Sequence, residues 1–176
     1  CAEKPDCTEG VEKMFWKNKV REVSLDPSPH VHIRVIDDED TLLTKHEKAD
    51  KPFKLLNDVS LRVNTDEYFF GVTIPRGYTW NGADIPAPCW WFGSSKDNEF
   101  LIPSLVHDYL LEYKTDIFER YSFLFETPEE YRRITSLVFR ELCKQAGIST
   151  LKANIAGFCV DIYQGTVNRG AWNIEQ

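Results

Sequence analysis

The alternation of apolar and polar positions changes period midway along the chain. Val20, Val23 and Leu25 mark a first strand-like run. Val31, Ile33 and Val35 alternate with His32 and Arg34 in a second, over 30–36, after the break at Pro27-Ser28-Pro29. Alternation of this kind places one face of a strand in a core and the other in water. Further β-rich runs occupy 41–44, 53–56, 59–63 and 68–74. From Phe100 onward the apolar residues recur at helical spacing instead. Ile102, Val106, Tyr109, Leu110 and Tyr113 predict a helix over 100–113, with Pro103 in its first turn.

The next helix has a marked beginning and end. Thr127 stands as N-cap, Pro128 at the first helical position and Glu130 at the third, which is a capping box. Its stripe is Tyr131, Ile134, Leu137, Val138 and Leu142, and Gly147 supplies the left-handed residue that ends it. Ser149 or Thr150 caps a third helix. Its inward face is expected to carry Leu151, Ile155, Phe158, Cys159, Ile162 and Tyr163, with Gly165 as the stop. Residues 1–19 are polar around Met14, Phe15 and Trp16 and form an N-terminal arm; 20–176 form one domain. The predicted class is α+β, a mostly antiparallel N-terminal β-sheet packed against about three C-terminal helices.

The 176 residues suffice for one core. Hydrophobic content of 42% and charged content of 28% place the chain among folding sequences. A net charge of −7 repels phosphate backbones, so nucleic acid is not an expected partner. No run reaches the ~18 to 20 apolar residues that span a bilayer. The sequence starts Cys1-Ala2-Glu3-Lys4-Pro5, which matches a mature bacterial lipoprotein after signal removal. Membrane association is then expected only through a lipid on Cys1, placing the protein at the virion or the periplasmic side of the cell envelope. If that start is instead a processing boundary, the compartment is cytoplasmic. A lipidated Cys1 leaves four of the five cysteines, enough for two disulfides.

One stretch is unusually dense in turn residues and aromatics: Gly77-Tyr78-Thr79-Trp80-Asn81-Gly82-Ala83-Asp84-Ile85-Pro86, followed later by Val106-His107-Asp108-Tyr109-Leu110. Together these motifs resemble the phage and prophage family called domain of unknown function thirteen fifty-three. The resemblance covers about 61–172, and Tyr163, Gly165 and Trp172 resemble the family's closing segment. Asn81 stands where the family has Asp, Asp84 where it has Ser, and Thr135-Ser136 where it has Ala-Asp. The resemblance implies phage association and assigns no reaction.

If loop and helix meet, His107, Asp108 and Asp84, with Asn81, form a polar cluster. Such a cluster suits a divalent metal or general acid–base chemistry. The competing reading makes His107 a buried hydrogen-bond hub. Trp80, Trp90 and Trp91 are aromatic binding candidates beside Asn81. His30 and His32 share a strand face without a third ligand, and Asp37-Asp38-Glu39-Asp40 lacks the Gly and distal Glu of a calcium loop. Cys89 has no evident base–orienter pair. Two functions follow: an accessory protein that binds a protein partner at the virion or cell envelope, or a hydrolase, metal-dependent or not, working through His107, Asp108 and Asp84.

Overall fold

The computed structural model describes residues 20–26, 31–35, 52–82 and 98–166. Six strands precede four helices within them. Strands β1 (Val20–Asp26), β4 (Val59–Thr65) and β5 (Phe69–Ile74) make one antiparallel sheet in the order β1-β4-β5. Period two is explicit in β4, where Val59, Leu61, Val63 and Thr65 are buried and Arg62 and Asn64 face water. The β4–β5 turn is tied by the Thr65 hydroxyl, which accepts from the Tyr68 amide at 3.0 Å and donates to the Tyr68 carbonyl at 2.9 Å. A second antiparallel sheet holds β2 (Ile33–Val35), β3 (Phe53–Leu55) and β6 (Thr79–Trp80). The run expected over 30–36 is thus a three-residue strand. The run at 41–44 lies outside the described residues.

Helix α1 (Asn98–Glu112) starts two residues earlier than the apolar period suggests, so Pro103 falls in the second turn and leaves the Glu99 carbonyl without its helical N–H. The short α2 (Lys114–Arg120) follows, with Ile117 as its buried residue. Helix α3 (Pro128–Gln145) bears out the capping box in a variant form. The Thr127 hydroxyl accepts from the Glu130 amide at 3.2 Å, and the Glu130 carboxylate accepts from the Glu126 amide at 2.9 Å, one residue before the cap. Its C-terminus is a Schellman motif. Gly147 at φ +92° lets its amide reach the Lys144 carbonyl at 3.1 Å, while the Ile148 amide reaches Cys143 at 3.0 Å. None of these helices is long and apolar enough to cross a membrane.

Helix α3 stands between the sheets and α4 (Thr150–Thr166). Its Tyr131, Ile134, Leu137, Val138 and Leu142 join the core under the strands, and its Phe139 and Cys143 join a second cluster with Phe100, Ile148, Ala153 and Ala156. Here the expected inward face of α4 is overturned. Ala153, Ala156 and Gly157 are buried against α3, whereas Leu151, Phe158, Ile162 and Tyr163 are 71%, 50%, 46% and 40% exposed. The reason is close approach. A Cβ on Gly157 would lie 3.0 Å from the Arg140 Cβ, so only small residues fit the contact. Nor does Gly165 stop the helix; a Cβ there would crowd the Arg132 guanidinium at 3.2 Å. Arg132 is buried and pairs with Asp161 across the interface, donating also to the Asp161 carbonyl at 2.6 Å.

Cys143 is a free, buried thiol, so two disulfides among the four remaining cysteines do not form. Burial pushes its pKa up to about 12, which keeps it un-ionised and unreactive. Cys159 is disulfide-bonded, to a cysteine outside the described residues.

Candidate functional site

The turn motif and the His-Asp helix do meet. Gly77 closes a turn, its amide reaching the Leu55 carbonyl at 2.8 Å, and Tyr78 and Trp80 then face α1. Trp80 is 1% exposed, and its indole N–H donates to the Ser104 hydroxyl at 3.3 Å; that hydroxyl donates to the Leu101 carbonyl at 2.9 Å. The Tyr78 hydroxyl donates to Glu112 at 3.0 Å, and its ring meets Tyr109 edge-on at 5.1 Å. Gly82 follows at φ +89°, a backbone state that only glycine adopts without strain.

These contacts make Trp80 a packing residue rather than an exposed binding aromatic. Asn81 is exposed. Asp84, Trp90, Trp91 and Cys1 lie outside the described residues, as do His30, Cys89 and the 37–40 acidic run. Tyr109, a member of the predicted helical stripe, completes the junction together with Ser104 and Glu112, which no pattern in the sequence marks.

His107 is 7% exposed on α1, with its ring 5.4 Å from that of Phe139. Its Nδ1 lies 3.7 Å from the Asp108 carboxylate, too far for a hydrogen bond but close enough for electrostatic coupling. Its Nε2 is buried and has no hydrogen-bond partner among the described residues. Among those residues no group of three or more His, Cys, Asp or Glu could hold a metal. Of the expected cluster, the described residues bring His107 and Asp108 close together, and Asp84 lies outside them.

Burial, then the charges of Glu112 and Asp108, raise the Tyr78 phenol far above its usual value; burial alone does so for Tyr131. Both phenols are raised in the folded state, so their stabilisation is complete below the unfolded value of about 10 and is lost as pH rises beyond it. Thermal stability is expected to begin falling above about pH 9, where the Cys143 thiol ionises in the unfolded chain but not in the folded one, and to fall more steeply above about pH 10 as the two phenols join it. In a spectrophotometric titration, two of the seven tyrosines should ionise only with unfolding; smooth ionisation of all seven in the folded protein would refute this burial pattern.

The molecule is thus an α+β domain in which a Gly-rich turn is pinned to a His-Asp helix. The family model described as "Protein of unknown function (DUF1353)" matches residues 41–160, and the chain belongs to that family. The match begins before the first motif and stops short of Tyr163, Gly165 and Trp172. No curated protein and no solved structure matches the chain.

Proposed function

We propose that this is a phage- or prophage-derived accessory protein that binds a protein partner at the virion or cell envelope through the outer face of α4. The observation that carries the reading is the exposed stripe. Leu151, Phe158 and Ile162 are exposed and Ile155 is half-buried between them; the four follow at intervals of four, three and four residues, the spacing of a coiled-coil seam, on the side of α4 opposite Ala153 and Gly157. An apolar stripe of this kind in water marks an interaction surface. The partner it fits is an amphipathic helix, with basic flanks to suit a chain of net charge −7. Aspartate at both Phe158 and Ile162 is expected to abolish retention of that partner from the envelope fraction without lowering the melting temperature. Undiminished retention would overturn the reading.

The hydrolase reading is favoured by one observation, the buried Nε2 of His107. An unmade buried hydrogen bond costs on the order of 1–3 kcal/mol. On the protein-binding reading, His107→Leu should therefore leave the unfolding free energy unchanged or raise it by about 1 kcal/mol. Zinc or manganese should shift the melting of neither form. A metal-induced rise that His107→Leu removes would install the hydrolase instead.

A further inference from the structure

We propose that Arg132 is a carboxylate-binding site at the edge of the apolar stripe of α4, and that an aspartate or glutamate of the partner helix fills it. That occupant rests on the protein-binding reading of α4; the site itself does not.

The way Arg132 is held carries the inference. Its side chain is nine-tenths buried where α3 packs on α4. An arginine and a carboxylate commonly pair fork to fork, through two parallel N–H···O bonds. Here a single nitrogen does the pairing: Nη1 donates to both the Asp161 carboxylate and the Asp161 carbonyl. The Ser136 hydroxyl lies 3.2 Å from the Arg132 carbonyl and 3.4 Å from the same carboxylate oxygen, so a second residue of α3 holds the pair in place. The other edge of the guanidinium, Nε–H with the hydrogens of Nη2, has no hydrogen-bond partner among the described residues, and neither nitrogen is sealed from solvent. That edge is a planar fork of donors, the shape that takes the two oxygens of a carboxylate.

Gly165 sets where the fork opens. Its backbone lies against the guanidinium, and a Cβ there would stand 3.2 Å from Cζ and Nη1 and 3.3 Å from Nη2. At 100° per residue, Gly165 lies about 50° round from the centre of the Leu151–Ile155–Phe158–Ile162 stripe, about one turn beyond Ile162. A helix seated on the stripe therefore brings the side chains of its near flank to Arg132.

Charge selects the ligand. With Asp161 already on Nη1, the guanidinium suits one further negative charge, whereas a phosphate dianion would set two against the Asp161 carboxylate. A chain of net charge −7 repels free anions, so the acid is one that a docked helix delivers. One acid at this place fixes the register of the partner along the stripe, while its basic flanks answer the acidic remainder.

The test uses the full chain, labelled with a nitrogen isotope. Sodium formate is titrated against sodium chloride at equal ionic strength while the arginine Nε–H resonances are followed, and Arg132→Lys identifies the Arg132 signal by its loss. The expected result is a saturable shift of that signal with formate and none with chloride; Gly165→Ala, which crowds the guanidinium and keeps both charges, should reduce it. No shift, or an equal shift in both salts, would overturn the site. Inorganic phosphate binding more tightly than formate would overturn its assignment to a carboxylate. Partner retention from the envelope fraction is read beside it. Arg132→Lys keeps a charge opposite Asp161 and loses the fork, so it should weaken retention about tenfold, with Gly165→Ala as the second variant where Arg132→Lys lowers the melting temperature. Full retention by both, with loss in the Phe158→Asp, Ile162→Asp variant, would overturn the acidic occupant and leave the α4 reading standing. Full retention by all three would remove the α4 reading and the occupant together, and the formate titration then judges the site alone.

Discussion

Trp80→Ala is expected to destabilise the protein by about 3 to 5 kcal/mol, a large share of the roughly 5 to 15 kcal/mol of a typical domain. The side chain is fully buried, its ring is 5.5 Å from Phe53 and 6.5 Å from Tyr78, and it joins Phe53 of the second sheet to Ser104 of α1. Truncation removes that packing and leaves a cavity between layers that α1 and β3 hold apart. Trp80→Phe keeps most of the volume and loses the bond to Ser104, so it should cost nearer 1 kcal/mol. Urea unfolding of both variants checks the ordering. A loss below about 1 kcal/mol for Trp80→Ala would mean that the turn motif does not clamp sheet to helix.

The second large effect is on binding. Interface anchors that are apolar and central typically contribute 2 to 4 kcal/mol, so the Phe158→Asp, Ile162→Asp double variant should bind its partner more weakly by about two orders of magnitude or more. Both side chains are about half exposed and contribute little to the core, so stability should change by no more than about 0.5 kcal/mol per site. The contrast with Trp80→Ala is the point: one substitution breaks the fold, the other leaves it intact and removes the surface. Isothermal titration against the partner, beside thermal melts, reads both. Equal affinity for variant and wild type would remove α4 from the account.

The sequence pattern made most of the fold legible, for physical reasons that differ by element. β4 and α3 were clear because each buries a full periodic face, and the ends of α3 are written in Thr127, Pro128, Glu130 and Gly147. β6 is hidden in the pattern because two residues cannot display a period, and α2 because only the adjacent Ile117 and Phe118 turn inward, which makes no helical stripe. The face of α4 is not legible from side-chain size, because its largest apolar residues are the exposed ones. Ala153, Ala156 and Gly157 are spaced as a helix contact too, and where two helices approach this closely the small residues go inside and the large ones are left in water. The same residues that looked like a core stripe thereby became the candidate binding surface.

The site was legible in part. The turn motif meets the His-Asp helix through Tyr78 and Trp80 against Ser104, Tyr109 and Glu112, whereas Asp84 of the expected cluster lies outside the described residues. His107 is buried as a hub would be, yet its Nε2 carries no hydrogen bond from the described residues, which spacing along a helix could not reveal. The sequence pattern also left open which way two adjacent residues of α1 would turn: His107 goes inward, and Asp108 stays partly in solvent 3.7 Å away.

The most direct test of the central claim is a photoreactive residue placed at Phe158, with Phe69 as the control, since Phe69 is the more exposed apolar side chain at 81% and lies on β5, away from α4. Cross-linking in the producing cell should join position 158 to one polypeptide, at an amphipathic helix, and position 69 to none. Adducts of similar yield from both positions, or adducts from 158 that join only this chain to itself, would contradict the account.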